Sequence, residues 1–464
     1  MQVDFKHPDY IKFQWRWQLC SDAVEGPAIM KSKAAQYLES LCDGRTDDVS
    51  IARNKKYQNL AQFSGFSGST VAGFVGLAFH REPEIECPQA LLDLLDNIDG
   101  SGVNIEQQAK RQLAESLITG RMALWVDYPL RANEMSKAEQ AANFIRPTVT
   151  AYRCDGAINW RTTTIGGASL LSLVVIPEQY VSKDDGFKAE YGSQWRVLRL
   201  VDGAYHVEVY RKAANGEFEV IGELSGQPVD GFGNAFREIP FTFCGPENND
   251  PSPDAPMIEE IAHLNIGHFR NSADCEISSF EMRPTVAIKM NKVWYTDVLK
   301  GVINMGGAIP LETDGGIEIV QASPNDLALS LKSDKKADMI ALCARIIEPQ
   351  RTQRTATEAT GDQIQYTSRL SAACDNLSAA YTKALNWMAQ YMGLPSECKY
   401  MLNTNFSTNT MTAQERQQLM AEWMSGAVSD YDYHRAMTGD GVITEGFDDW
   451  QAMKEANKPA PAVD

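Results

Sequence analysis

The sequence predicts an α+β fold with a β-rich segment held between helical ones, and three observations predict it. Apolar residues recur at helical spacing through most of the first 130 residues. Over residues 146–245 they give way to short β-branched and aromatic runs separated by turns. After a proline-rich break at 246–256 they return as long helical stripes. A chain of 464 residues is too long for one ordinary core and divides into two to four structural units.

In chain order, a helix opens near Pro27, a residue suited to a first turn, and extends to about Leu41. A second spans Asp48–Phe63, with Ile51, Tyr57, Leu60 and Phe63 near helical spacing. The glycine-punctuated run Gly65–Phe79 lacks the Gly-Lys-Ser/Thr ending of a phosphate loop and reads as a closely packed small-residue helix. A short acidic helix Gln89–Ile98, a turn at 99–102 and a helix Asn104–Thr119 follow, and Gly120 stops that helix. Residues Met122–Val126 form a buried strand.

The β region contains runs at Thr148–Tyr152, Leu170–Ile176, Trp195–Leu200, Tyr205–Tyr210, Phe218–Ile221 and Phe241–Phe243. Asp202-Gly203 and Asn215-Gly216 are its hairpin turns. Beyond the break, Ile258, Ile261, Leu264, Phe269, Ala273, Ile277 and Phe280 make one stripe of a helix spanning 257–282, which at 1.5 Å per residue is roughly 39 Å long. A compact insert has strand-like pieces at 286–289, 309–311 and 317–320. Helix Asp326–Ile347 carries Ala337, Ile340, Ala341, Ala344 and Ile347 on one face. The polar, threonine-rich stretch 348–361 has no core residues. A third long helix, from about Asp362 to Met392, places Leu370, Cys374, Leu377, Tyr381, Leu385 and Met388 on one side. Short helices at 413–426, after Ser429-Asp430 and at 448–456 precede a polar tail at 458–464.

Composition narrows the function. No window approaches twenty uninterrupted apolar residues, so no membrane span is expected. The first eight residues lack a signal peptide's apolar run, which predicts a protein made in a cytoplasm. Nine cysteines without a Cys-x-x-Cys pair and six scattered histidines predict neither a disulfide framework nor a metal site; no cofactor is expected. A net charge of −18 argues against a sequence-reading DNA binder, though a surface that DNA slides past should repel it mildly. No nucleophile–histidine signature is present. The carboxylate pairs Glu259/Glu260 and Asp184/Asp185 read as a solvated helix face and a turn. The chain is therefore expected not to be an enzyme.

Four stretches carry a resemblance: Val71–Phe79 before Arg81-x-Pro83; Ile98–Gly102; Gly120–Asp127 before Tyr128-Pro129; and Ala262–Asp274. In these, and in the order of its elements, the chain resembles the portal proteins of tailed bacteriophages. The likeness is to a portal-like family catalogued in phage genomes as a domain of unknown function, and it covers about residues 10–440. It implies a ring of about twelve subunits at one capsid vertex. That ring would be the channel for packaging and ejecting double-stranded DNA, bound without sequence specificity.

By the same resemblance, residues 1–256 are the wing, 257–283 the first stem helix, 284–325 the clip and 326–347 the second stem helix. Residues 348–361 are the tunnel loop, 362–394 a long helix returning to the wing, and 395–464 a short helical crown with a disordered tail. The implied partners are the large terminase, a head–tail adaptor, and capsid and scaffold proteins; the implied location is the virion. Each stem helix is expected to set an apolar face against neighbours and a polar face toward the channel. In the tunnel loop, Gln350, Arg351, Gln353 and Arg354 can donate to phosphates without reading bases. Solvated side chains, or ion pairs to a neighbouring subunit, account for the same residues. The alternatives for the whole chain are another virion connector or minor head protein, or a cytosolic enzyme without a recognisable motif.

Overall fold

A computed structural model describes residues 2–42, 44–130, 145–213, 215–281, 285–289, 316–320, 326–347, 356–404, 413–439 and 446–456, with a few single positions between them. The chain divides into two compact units, Met1–Thr404 and Asn405–Asp464.

The first unit opens with a helix that sequence periodicity does not disclose, α1 (Pro8–Glu25), capped by His7, whose Nδ1 accepts from the Asp9 amide at 3.2 Å. Its apolar and polar residues are mixed around the circumference, so it presents no stripe. Then come α2 (Pro27–Ser32), α3 (Ala34–Tyr37), α4 (Asp48–Leu60) and α5 (Phe66–Ala78). The single helix expected from Pro27 to Leu41 is thus two short ones, broken at Lys33. Strand β1 (Glu84–Glu86), the short α6 (Gln89–Leu92) and α7 (Ile105–Thr119) follow, the last capped by Asn104.

Three antiparallel strands, β2 (Met122–Asp127), β3 (Thr148–Tyr152) and later β9 (Phe241–Cys244), form a small buried sheet in the order β3-β2-β9. A five-stranded meander holds β4 (Asn159–Ile165), β5 (Ala168–Asp184), β6 (Ala189–Val201), β7 (Ala204–Lys212) and β8 (Phe218–Val220). Strand β4 is absent from the sequence reading because Arg161 and four threonine or isoleucine neighbours give no apolar run. Strands β5 and β6 run well past their apolar cores into polar residues.

Helix α8 (Glu259–Glu281) packs into the helical body. Ile258, Ala262, Ile266, Phe269, Ala273 and Ile277 join Cys20, Met30, Tyr57, Phe63 and Val71 in one apolar cluster. Strands β10 (Thr285–Lys289) and β11 (Gly316–Val320) pair antiparallel, and α9 (Asp326–Ile347) returns. The strand expected at 309–311 lies outside the described residues. Helix α10 (Ala356–Met392) starts before the expected Asp362, so residues 356–361 of the expected tunnel loop are helical. That stretch has helix-favouring alanine and glutamate but no apolar periodicity to reveal it. Leu370, Cys374, Leu377, Tyr381, Leu385 and Met388 are all buried, as their spacing predicts. Strand β12 (Lys399–Met401) closes the unit by pairing with β1.

The second unit contains α11 (Ala413–Met424), α12 (Asp430–Gly439) and α13 (Phe447–Ala456) around an aromatic centre. The rings of Trp423 and Tyr433 stack at 4.2 Å, and the Trp423 indole donates to Asp430 at 2.7 Å. The tail expected at 458–464 lies outside the described residues.

Candidate functional site

Helix α8 lies in the body, α9 packs against it, and β10 and β11 pair as a ribbon with Thr285 opposite Val320. Lys335 meets Gly267 and Asn271 while Lys332, earlier on α9, acts on Cys275, later on α8, so the two helices run antiparallel. The seam between them is polar. Lys335 on α9 donates to the Gly267 carbonyl at 3.3 Å and to Asn271 Oδ1 at 2.5 Å. Asn265 donates to Ser67 of α5 at 3.2 Å. Burial pushes the His268 imidazole below its usual pKa, and Lys332, Lys336 and Lys335 push in the same direction.

Asn265, His268, Asn271 and Ser272 are all buried. Asn265 and His268 face α5, Asn271 meets Lys335 of α9, and Ser272 accepts from the Gln62 amide. Periodicity registers polarity but not whether a polar group finds an internal partner. The exposed polar edge of α8 is narrower, made by Glu260, His263 and Arg270.

On α9 the side turned to the body is Ala328, Lys332, Lys335, Met339 and Leu342, and Ala337, Ile340 and Ala341 of its apolar stripe are exposed on the single chain. At about 100° per residue, Leu327 and Leu331 lie on one flank of this helix. Leu329 and Ile340 lie on the other, roughly half a turn away. Leu327 is 70% exposed and Leu329 60% exposed, too much for residues that belong to the chain's own core. Ser330, Ser333 and Ala337 occupy the front, opposite the body.

Backbone contacts position these helices. Gly120 ends α7 with φ +73°, and a Cβ there would lie 2.1 Å from the Asp254 carbonyl oxygen. The Asp254 amide donates to the Gly120 carbonyl at 3.2 Å and the Met257 amide to the Leu117 carbonyl at 3.1 Å. The proline-rich break is thereby fixed to α7 immediately before α8 begins. Arg16 then grips Glu259 in the first turn of α8, Nε to Oε1 at 2.7 Å and Nη2 to Oε2. At the far end of α10, Gly393 caps the helix with φ +66°. A Cβ on Gly231, in the loop before β9, would lie 2.3 Å from the Gly393 nitrogen.

Arg121, beside that first anchor, is almost wholly buried. Its guanidinium carbon lies 3.7 Å from the Trp160 ring centre and 3.8 Å from that of Phe243. Neither Nη1 nor Nη2 has a hydrogen-bond partner among the described residues, and desolvation pushes the pKa down to about 9. For a base, a lowered native pKa means that the charged form costs stability below about pH 9. That cost is relieved as pH rises from there toward the unfolded value. Stacking on two rings offsets part of it. Arg121→Met is therefore expected to stabilise the protein by ~1–2 kcal/mol at neutral pH. The urea midpoint checks this, and a loss of stability would mean that stacking outweighs desolvation.

Of the residues expected to touch DNA, Gln350, Arg351, Gln353 and Arg354 all lie outside the described residues. The polar seam at Asn265, His268 and Lys335 is not disclosed by the sequence, which shows the polar content of 262–274 but not where it packs. Among the described residues no group of side chains could hold a metal ion, and no helix is long and apolar enough to cross a membrane.

A family model described as a domain of unknown function (DUF4055) matches residues 256–392, from the residue before Met257 to the end of α10. No curated protein matches the chain.

Proposed function

We propose that the chain is the portal subunit of a tailed bacteriophage, one copy in a ring around a channel for double-stranded DNA, and not an enzyme. The observation that carries this reading is α9. A helix with the body behind it, apolar residues on both flanks and the small residues Ser330, Ser333 and Ala337 in front suits a copy wedged between two identical neighbours. Its flanks would bury against them and its front would line a passage. The antiparallel α8–α9 pair with a β-ribbon at its end supports the stem and clip assignments, and the family match spans the same segment. A net charge of −18 on every copy keeps DNA from adhering along the passage. The ribbon end would receive the large terminase and later the head–tail adaptor, and capsid and scaffold proteins would surround the body.

Electron microscopy of the purified full chain tests the reading. Class averages should show closed rings with a central channel and about twelvefold symmetry. A stable dimer at every concentration and in the presence of scaffold would end it.

DNA contact in this reading falls to Gln350, Arg351, Gln353 and Arg354, which can bind phosphates without reading bases. Arg351→Ala combined with Arg354→Ala should leave ring assembly unchanged and lower the yield of packaged genomes several-fold. Full-length genomes at normal yield from the double variant would remove the arginines from that role.

A further inference from the structure

The five-stranded sheet has a feature that its own core does not explain. Strand β4 pairs with β5 only as far as Val175, and β7 pairs with β6 only from Gln194 onward. Beyond those points β5 and β6 continue alone, as a two-stranded arm that turns over at 185–188. Residues 181–188 are all exposed, and Phe187 at the tip is 104% exposed. The tip is nevertheless shaped. Asp184 accepts from the Gly186 amide at 2.8 Å, and Asp185 accepts from the Phe187 and Lys188 amides at 2.9 and 2.7 Å. These bonds shape the turn that holds the Phe187 ring out in water, after the two carboxylates and before Lys188.

The same sheet carries a cavity of about 310 Å³ at its base. Two cross-strand rows form its floor: Arg161–Leu173–Arg199 and Asn159–Val175–Val197. Phe5 lies at its side. The apolar centre is thus flanked by two guanidiniums, one of which, Arg199, also reaches Glu208 at 3.4 Å. The apolar lining, Leu173 and Phe5, suits an aromatic ring, and Asp184 and Asp185 suit Arg161 and Arg199, with Lys183 and Lys188 beside them on the tip. The arm cannot serve its own cavity. Nine residues of extended strand separate Val175 from Asp184, roughly 30 Å, and the paired ribbon holds them apart.

We propose that the tip of the β5–β6 arm, centred on Phe187, inserts into the cavity at Arg161, Leu173 and Arg199 of a second copy of this chain. Such a contact is head-to-tail, using different surfaces on the two copies, and a head-to-tail contact closes into a ring when its rotation permits. The inference rests on the ring reading above and supplies a specific contact for it. The pre-shaped tip loses little freedom on docking, and the flanking charges make the contact salt-sensitive.

The full chain is used for the test. Lys188→Cys and Gln2→Cys variants, which keep the Phe187 ring and the cavity floor, are mixed, treated with a short bis-maleimide, and the linked peptides mapped against each variant alone. A 188–2 linkage found only in the mixture is expected. In parallel, sedimentation up to about 100 µM should show that Phe187→Ala and Arg161→Glu each weaken self-association tenfold or more. Both positions are exposed, so far-UV circular dichroism should stay unchanged. Closed rings without the 188–2 linkage, and with Phe187→Ala associating as wild type, would overturn the arm contact and leave the ring reading standing. A wild-type chain that stays monomeric throughout, alone and with scaffold, would overturn both.

Discussion

Gly120→Ala is expected to destabilise the first unit by ~3 kcal/mol or more. Two costs combine. The residue sits at φ +73°, where an L side chain is strained by ~1–2 kcal/mol. The added carbon would also fall 2.1 Å from the Asp254 carbonyl oxygen, which is backbone and has no rotamer to escape into. Relief requires the break at 246–256 to lift away from α7. That movement would also loosen the Asp254-to-Gly120 and Met257-to-Leu117 bonds that set where α8 starts. Urea unfolding followed by tryptophan fluorescence provides the measurement. A loss under ~1 kcal/mol would mean that the break has room to move and does not position α8.

Asp22→Ala should cost a similar amount, ~3–5 kcal/mol. The carboxylate is 1% exposed and serves three donors: Lys33 Nζ at 2.7 Å, the Tyr37 hydroxyl at 2.6 Å and Gln18 Nε2 at 2.7 Å. It ties α1 to α2–α3 inside the helical body that also buries α8. Removing it strands the Tyr37 hydroxyl inside the protein, whereas Lys33 can reach water and loses less. Asp22→Asn keeps an acceptor for Tyr37 and should cost about half as much. Equal losses for the two variants would show that the charge, and not the hydrogen-bonded oxygen, carries the contribution. A loss below ~1 kcal/mol for Asp22→Ala would contradict the network's role.

Much of this architecture is legible in the sequence where one face of an element is apolar. The α10 stripe from Leu370 to Met388, helix α9 to its end residues and strand β3 at Thr148–Tyr152 follow from spacing alone. What is illegible has physical causes. Helix α1 buries Trp17, Cys20 and Asp22 together, so its inner face is not purely apolar. The distal parts of β5 and β6 pair in solvent, where neither face needs to be hydrophobic. The α9 stripe was visible, but its destination was not: Ala337, Ile340 and Ala341 face outward while Lys332 and Lys335 turn toward the body. The DNA-contact residues rest on the resemblance, since Gln350, Arg351, Gln353 and Arg354 lie outside the described residues.

The contact between Gly231 and Gly393 bears on how such a chain can change over generations. The Gly231 amide donates to the Gln390 carbonyl at 3.0 Å, so at these two glycines the loop before β9 meets the end of α10 through main chain, beside the Phe236–Tyr391 ring contact and the Trp387–Glu238 hydrogen bond. A side-chain contact can drift by paired substitution, one partner shrinking as the other grows. A junction made of backbone has no such partner, and neither glycine can be rescued by a change elsewhere. Side chains around it can be exchanged while the approach of the α10 end to that loop is inherited unchanged. Among distant descendants of this chain, the exit of that long helix should vary less than the sequence along it.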